Sequence, residues 1–300
     1  VTRAAIAQGV EVVGIPRGYE GLLEGDIIPM SISSVGGIIH RGGTILRTAR
    51  CERFLRPEGV NEGLDQLRTF DIDALVVIGG DGSFRGAWEL DQRGFPVAGV
   101  PGTIDNDIFG TDYTIGFDTA VNTAVQAVDK LRDTADSHNM VFFVEVMGRD
   151  AGFIALNTSI STGAEATLIP EIQTDIGKLC EYLELERRKN KTSGIIIVAE
   201  GQEQGNATTV AAKVKERLPG YETRVTTLGH IQRGGAPTAN DRILASILGH
   251  DAVVALLEGK TGMMAGQVNN QTVFTPFHEA CSRHSEINKR WVDIAYILSL

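Results

Sequence analysis

Short apolar runs recur along this chain and alternate with stretches of helical periodicity. Runs of this length and composition are typical of buried strands in a parallel sheet, and they occupy residues 10–15, 74–78, 95–100, 140–146, 194–199 and 224–228. Helical patterns lie between several of them, most clearly over residues 117–131 and 207–218. Because strands that alternate with helices form parallel sheets covered on both faces, the sequence predicts an α/β fold with doubly wound parallel sheets.

Composition and charge argue against several classes of protein. The formal net charge of −10 disfavours nucleic-acid binding, and no apolar run approaches the roughly 18 residues that a membrane helix needs. The three cysteines, Cys51, Cys180 and Cys281, are an odd number without metal-ligand spacing, which favours a reducing compartment and hence the cytoplasm. The chain opens at Val1 without a signal-like segment, and we expect that its natural start is missing.

A glycine-rich turn follows the predicted strand at residues 74–78. Gly80 and Gly82 allow backbone N–H groups to approach phosphate oxygens, and Asp81 offers the hard oxygen ligand that Mg²⁺ prefers. The alternative is a structural turn in which Asp81 caps the next helix. The motif alone leaves these interpretations about even, but the strand before it and the next motif favour phosphate binding.

Two aspartates follow the next predicted strand, in the motif PGTIDND at residues 101–107. In an extended segment residues i and i+2 point the same way, so Asp105 and Asp107 are expected to address one site. Phosphoryl transfer to a hydroxyl needs a carboxylate that accepts the hydroxyl proton, and this pair suits that role. The alternative is an Asx turn with solvated carboxylates.

Charged side chains follow three further predicted strands. They are Arg149 after residues 140–146, Glu200 after 194–199, and His230 and Arg233 after 224–228. Arginine binds phosphate through its fork of donors, and Glu200 suits hydrogen bonds from sugar hydroxyls. Each arginine taken singly is more often a surface ion-pair partner, and His230 a structural histidine. The same chemistry at three strand ends favours one shared site.

Two polar segments, 133–139 and 186–193, are predicted to be exposed loops. The second carries four basic residues, Arg187, Arg188, Lys189 and Lys191. The sequence alone favours a solvated helix end for them. The alternative is a loop that binds an anionic effector.

These segments, in this order, resemble the bacterial-type 6-phosphofructokinase family. The shared motifs are GGDGS at residues 79–83, PGTIDND at 101–107, MGR at 147–149 and GHIQRGG at 229–235, within a resemblance that spans residues 1–297. GGDG alone also occurs in NAD and lipid kinases, whereas the four motifs together are highly specific. The resemblance implies an ATP:D-fructose-6-phosphate 1-phosphotransferase of glycolysis that uses Mg²⁺ and ATP and forms fructose 1,6-bisphosphate and ADP.

The resemblance also implies two doubly wound domains with the active site in the cleft between them. Residues 1–116 and 232–281 would form the nucleotide-binding domain, and residues 117–231 and 282–300 the sugar-phosphate-binding domain. The family's first strand and first phosphate loop would precede Val1. We therefore expect the chain as given to be weakly active or poorly folded.

The matching motifs imply a role for each site residue. Asp81 would hold Mg²⁺, Asp105 would be the general base and Arg149 would stabilise the transition state, with Thr103 and Asp107 supporting the site. The nucleotide positions would be Arg50, Cys51, Gly80, Asp81, Gly82 and Ser83. The sugar-phosphate positions would be Thr103, Ile104, Asp105, Met147, Gly148, Arg149, Glu200, Arg224, His230, Ile231, Gln232 and Arg233. Arg224 would come from a neighbouring subunit, which implies a homotetramer.

Two glycines bear on the phosphoryl donor. Family members that use pyrophosphate carry aspartate at the position of Gly82 and lysine at that of Gly102, so ATP is expected here. The alternatives are a pyrophosphate-dependent relative and a non-catalytic homologue that binds nucleotide for regulation, although Asp105 and Arg149 speak against the latter. Met140 stands where the family usually has an arginine that reaches the adjacent subunit's sugar phosphate, which predicts weaker fructose 6-phosphate binding.

A second site is implied by family positions that bind ADP or phosphoenolpyruvate between subunits. The matching residues are Arg3, Arg132, Gly163, Glu165, Lys189 and Lys191. This match favours the interpretation of the basic segment at residues 186–193 as a loop that binds an anionic effector. We therefore expect allosteric control.

Overall fold

The computed structural model describes residues 1–189 and 192–299. Within these ranges, unit 1 comprises Val1–Thr103, Ile108–Gly116 and Ala236–Ser285, and unit 2 comprises Ile104–Asp107, Phe117–Gly235 and the residues from Glu286 onward. The strands are β1 Val12–Gly14, β2 Ile28–Met30, β3 Leu75–Gly79, β4 Val97–Thr103, β5 Ile115–Gly116, β6 Met140–Val146, β7 Ala166–Leu168, β8 Gly194–Ala199, β9 Glu222–Thr227, β10 Met263–Val268 and β11 Gln271–Pro276. The α-helices are α1 Thr2–Ala7, α2 Tyr19–Leu23, α3 Pro57–Thr69, α4 Asp81–Gln92, α5 Phe117–His138, α6 Phe153–Thr162, α7 Ile176–Arg188, α8 Ala207–Arg217, α9 Ala239–Leu257, α10 Phe277–Ser282 and α11 Lys289–Ser299. Short 3₁₀ helices span Ser33–Val35, Arg53–Leu55 and Gly229–Arg233.

The main sheet of unit 1 has β4 at its centre. β3 and β10 flank β4 in parallel, β5 extends its carboxyl end, and β11 pairs antiparallel with β10. Val97 of β4 shares a core cluster with Phe84 of α4. Ala98 and Leu248 of α9 belong to a second cluster. Because successive strand residues point to opposite faces, helices cover this sheet on both sides.

The sheet of unit 2 is parallel throughout, in the order β7-β8-β6-β9. Every residue of β8 is buried, as is typical of a strand with helices on both faces. Ile195 and Ile197 pack in the cluster that contains α5 and α6, whereas Ile196 and Val198 pack in the cluster of α7 and α8. The predicted α/β class with doubly wound parallel sheets is confirmed.

The predicted parallel strand at residues 10–15 is wrong. β1 lies there, but it pairs antiparallel with β2 in a separate two-stranded sheet. Val10 and Val13 are exposed, at 38% and 41%. A short apolar run in a surface ribbon cannot be distinguished from a buried strand by composition alone.

The predicted loop at residues 133–139 is also wrong, because α5 continues to His138. Ala135 is buried and belongs to the core cluster of this helix, so a single small residue extends the apolar face through a polar stretch. The helix ends at His138, because the next residue, Asn139, has a left-handed φ of 54°. Of the helices within the described ranges, none is both long and apolar enough to cross a membrane.

Candidate active site

The glycine-rich segment forms a tight turn between β3 and α4 in unit 1. Gly80 is the N-cap and Asp81 is the first residue of α4, so Asp81 does not cap the helix. A Cβ on Gly79 would lie 2.3 Å from the Ser83 Oγ, which explains glycine at that position. Around Gly82, apart from its two chain neighbours and the backbone of α4, no atom of the described residues lies within 4 Å of an ideal Cβ. The start of α4 therefore has room for a ligand.

Asp81 is paired with Arg85, one turn along α4. The Arg85 Nε donates to both carboxylate oxygens of Asp81, at 3.1 and 3.0 Å, and its Nη2 donates to the Cys281 carbonyl oxygen at 3.1 Å. The hydrogen bond to Asp81 raises the pKa of the Arg85 guanidinium. Burial, and then the charge of Asp81, raises the pKa of Cys281 to about 11. Sequence reasoning missed Arg85, although aspartate and arginine four residues apart on a helix signal such a pair.

Tyr19 supports the same turn from α2. Its hydroxyl donates to the Ser83 carbonyl oxygen at 2.5 Å, and its ring stacks on the Phe54 ring with 4.0 Å between the two ring centroids. The ring passes so close to Gly86 that a Cβ there would lie 2.6 Å away. Burial raises the pKa of Tyr19, so the hydroxyl stays a donor. No local pattern identifies this contact, because 64 residues separate its partners.

The ends of β3 and β4 come together in unit 1. The two strands are parallel neighbours, and a Cβ on Gly80 would lie 3.5 Å from the Thr103 Cβ. The Thr114 Oγ1 donates to the Thr103 carbonyl oxygen at 2.7 Å and fixes the end of β4. The structure thus brings Thr103 beside the glycine turn that carries Asp81.

The segment Ile104–Asp107 belongs to unit 2 and is not extended. β4 ends at Thr103, bends follow at Ile104 and Asp105, and the buried Asn106 has a left-handed φ of 56°. The expected i, i+2 alignment of Asp105 and Asp107 is therefore wrong, because it assumed a continuing strand. Whether both carboxylates serve one site stays a prediction.

In unit 2, residues 147–149 form a loop after β6. The backbone N–H groups of this loop donate hydrogen bonds to two side chains. The Gln232 Oε1 accepts from the Met147 N–H at 2.9 Å. The Glu200 Oε1 accepts from the Gly148 and Arg149 N–H groups, at 3.3 and 2.7 Å. The Arg149 side chain is exposed, and its Nε lies 3.8 Å from the Asp150 carboxylate.

The remaining predicted sugar-phosphate residues occupy β9 and the 3₁₀ helix after it. His230, Ile231 and Arg233 are exposed, whereas Gln232 is buried. Arg224 is exposed on the edge strand β9, pairs with Glu222 at 2.5 Å and lies opposite Phe142. Phe142 lies four residues before the carboxyl end of β6, so at about 3.3 Å per strand residue Arg224 lies about 13 Å from that end of the strand. Met140, partly buried, starts β6 at the end away from the 147–149 loop.

Two predicted nucleotide residues lie before α3. Arg50 is exposed in an irregular segment. Cys51 is partly buried and packs against the core cluster of unit 1. Burial, and then a hydrogen bond with Glu20, raises the pKa of the Cys51 thiol, which therefore stays protonated near neutral pH.

Three of the predicted effector residues meet in unit 2. Arg132 donates from Nη1 to the Glu165 Oε1 at 3.3 Å and from Nη2 to the Gly163 carbonyl oxygen at 3.2 Å. Glu165 is only 5% exposed. Burial, and then the charges of Glu186 and Glu165, raises the pKa of the neighbouring Tyr182 to about 12.

The other predicted effector residues are Arg3, Lys189 and Lys191. Arg3 lies in α1 of unit 1 and is exposed. Lys189 pairs with Glu186 at 2.8 Å. The loop predicted over residues 186–193 begins later than expected, because α7 continues to Arg188. Lys191 lies outside the described residues.

Glycine-rich helix starts and arginine-bearing strand ends on parallel sheets are typical of enzymes that bind phosphate groups. The phosphofructokinase family model matches residues 1–256 of this chain. The chain therefore belongs to the phosphofructokinase family.

Individual relatives are similar over nearly the whole chain. It is 52% identical over 301 residues to ATP-dependent 6-phosphofructokinase 1 of Thermus thermophilus, covering 100% of this chain and 93% of that protein. It is 52% identical over 300 residues to ATP-dependent 6-phosphofructokinase of Halalkalibacterium halodurans, covering 100% and 93%. The crystal structure of Pichia pastoris phosphofructokinase in the T-state superposes with a TM-score of 0.87 at 37% identity, covering 94% of this chain and 33% of that longer one.

Proposed function

We propose that this chain transfers the terminal phosphoryl group of ATP to the 1-hydroxyl of D-fructose 6-phosphate, as a glycolytic kinase of the cytoplasm. The observation that supports this most is its 52% identity, over its full length, to proteins named ATP-dependent 6-phosphofructokinase. The open start of α4 at Gly82 agrees with a nucleotide ligand. Three free thiols, Cys51, Cys180 and Cys281, agree with a reducing compartment.

Nucleotide binding is assigned to unit 1. Gly80, Gly82 and Ser83 lie where α4 starts, and a helix N-terminus favours phosphate charge. Arg50 and Cys51 are the proposed further nucleotide contacts.

Asp81 is the proposed ligand of Mg²⁺. In the described part of the chain, no group of three or more His, Cys, Asp or Glu side chains could form a metal cage. A single carboxylate fits Mg²⁺, which keeps several waters and takes its other oxygens from phosphates. The ion would neutralise charge on the phosphate groups during transfer. The Arg85 guanidinium forms an ion pair with the Asp81 carboxylate, so it would compete with the ion for this ligand.

Replacing Arg85 with methionine is expected to lower the Mg²⁺ concentration needed for half-maximal ATP binding by about 1.4- to fivefold. The reason is that an exposed ion pair, which competes with the ion, is worth about 0.2–1 kcal/mol. Thermal shift with ATP at increasing Mg²⁺ measures the effect. Arg93→Met is the matched control, because Arg93, the C-cap of α4, pairs with Glu89 of the same helix. A higher Mg²⁺ requirement in Arg85→Met than in the control contradicts competition.

Sugar-phosphate binding and proton transfer are assigned largely to unit 2. Asp105 is the proposed base, with Thr103 and Asp107 as supporting groups, and Arg149 is proposed to stabilise the charge that develops on transfer. The proposed sugar-phosphate contacts are Ile104, Met147, Gly148, Glu200, His230, Ile231 and Arg233. The exposed position of Arg224 on an edge strand supports contribution to a neighbouring subunit's site, and hence a homotetramer.

An effector site for ADP or phosphoenolpyruvate is proposed at the cluster of Arg132, Gly163 and Glu165, with Lys189 and Arg3 as further members. The contacts of Arg132 with both other residues support a common location. The cluster also lies close to Tyr182, whose pKa is raised by burial and by the charges of Glu186 and Glu165.

Parallel assays with ATP and with pyrophosphate as donor test the proposed activity. Fructose 6-phosphate should be phosphorylated with ATP and Mg²⁺ and not measurably with pyrophosphate, because Gly82 and Gly102 leave the donor site without a repelling aspartate or added lysine. Turnover with pyrophosphate alone contradicts the proposed donor. Nucleotide binding without turnover of either donor contradicts the proposed activity.

A further inference from the structure

Gln232 differs from its neighbours in the 3₁₀ helix Gly229–Arg233. His230, Ile231 and Arg233 are exposed, whereas Gln232 is only 1% exposed. Its Oε1 accepts from the Met147 N–H at 2.9 Å, and its Nε2 has no hydrogen-bond partner among the described residues. Because Met147 presents a donor, only this orientation of the amide makes the bond. Of the two polar atoms of the Gln232 side chain, the oxygen is therefore the one that makes a hydrogen bond.

This bond connects two loops that follow neighbouring strands. β6 and β9 are parallel, and their ladder reaches Glu145 and Thr227, with the Leu228 N–H donating to the Glu145 carbonyl oxygen at 3.0 Å. Beyond that point, the Gln232 amide joins the loop after β6 to the 3₁₀ helix after β9. A buried hydrogen bond is stronger in a low-dielectric environment, so the connection is rigid.

The 147–149 loop depends on such contacts because its backbone is strained. Gly148 has φ 146° and Arg149 has the left-handed φ 56°, which a non-glycine residue adopts only when its surroundings impose it. Glu200 holds the Gly148 and Arg149 N–H groups, and Gln232 holds the Met147 N–H. Three successive N–H groups are therefore fixed by two side chains.

We propose that Gln232, which the resemblance counts among the sugar-phosphate contacts, is instead a positioning residue of that site, which acts through the Met147 backbone without touching the substrate. The hydrogen bond from the Met147 N–H to the buried Gln232 oxygen fixes the position of the 147–149 loop relative to His230 and Arg233. Since a bidentate phosphate contact tolerates little displacement, loss of this bond weakens sugar-phosphate binding. The proposal rests on the proposed function for the assignment of the ligand.

Gln232→Met tests it in the full-length enzyme. This variant keeps the length of the side chain but leaves the buried Met147 N–H unpaired, and we expect the KM for fructose 6-phosphate to rise about 5- to 100-fold. The KM for ATP should change less than twofold, because the proposed nucleotide residues lie in unit 1. A purely structural defect would instead lower the active fraction and affect both substrates alike.

A conservative variant and a matched control complete the kinetic test. Burial at this position favours the neutral acid in Gln232→Glu, which still presents an acceptor to Met147 without adding charge beside the phosphate, so its KM for fructose 6-phosphate should return to within about threefold of the wild-type value. Thr158→Val, in the same unit, removes a buried hydroxyl that has no hydrogen-bond partner among the described residues, and it should leave this KM unchanged. If Gln232→Met keeps the wild-type KM, or if Gln232→Glu is as impaired as Gln232→Met, the proposal is wrong.

Hydrogen exchange separates this proposal from the proposed function. The Met147 amide should be protected in the wild type and in Gln232→Glu, and should exchange at least tenfold faster in Gln232→Met. This holds whether or not fructose 6-phosphate is the substrate. Equal protection in all variants overturns the positioning role, whereas the expected protection pattern without turnover of fructose 6-phosphate would contradict only the proposed function.

Discussion

Replacement of Asp105 with asparagine is expected to lower kcat by about 10²–10⁴-fold, because an amide cannot accept the proton of the attacking hydroxyl. Aspartate and asparagine have nearly the same shape, so the bend at Ile104 and Asp105 and the left-handed turn at Asn106 should persist. Binding of fructose 6-phosphate should therefore change only a few-fold. Steady-state kinetics together with calorimetric titration of the sugar phosphate measure the two effects separately.

The control for this variant is Asp133→Asn, which makes the same chemical change at an exposed position of α5. It should keep wild-type turnover. If Asp105→Asn retains kcat within tenfold of the wild type, Asp105 is not the general base. If it loses sugar-phosphate binding in proportion to turnover, its role is in binding and not in proton transfer.

Buried strands were the most predictable elements of the fold. The runs at 140–146 and 194–199 coincide with β6 and β8, since a strand covered on both faces carries apolar side chains at nearly every position, with Glu145 of β6 as the exception. The hairpin of β10 and β11 has no such run, because β11 is largely half-exposed and the turn at Asn269 and Asn270 is the main local signal. Strands with one exposed face are therefore harder to find from sequence.

The candidate site was predictable at the level of motifs but not of contacts. The sequence placed Asp81 and Thr103 at two strand ends, and the structure brings their turns together because β3 and β4 are neighbours. It did not indicate that Gln232 is buried between exposed neighbours, because a 3₁₀ helix of five residues has no periodicity long enough to read. Nor could it indicate Tyr19, whose partner Ser83 is remote in sequence.

Gly82 offers a direct test of how the donor is selected. Gly82→Asp is expected to lower kcat/KM for ATP by about 10²–10³-fold, because two unit charges about 4 Å apart repel by roughly 4 kcal/mol at an effective dielectric constant of 20. Bound Mg²⁺ offsets part of this repulsion, which sets the lower end of the range. The fold should tolerate the change, since a Cβ at this position meets no atom of the described residues within 4 Å outside its chain neighbours and the α4 backbone.

Stability measurements separate charge repulsion from misfolding in this variant. Gly82 is the second residue of α4, where an acidic side chain interacts favourably with the helix dipole and where glycine is a poor helix former. The melting temperature of Gly82→Asp should therefore stay unchanged or rise slightly while ATP turnover falls. Gly82→Asn, which has the same size without the charge, should lose less than about tenfold in kcat/KM. If both variants lose the same activity, side-chain volume and not charge excludes ATP, and the absence of an acidic residue at this position would no longer explain the choice of donor.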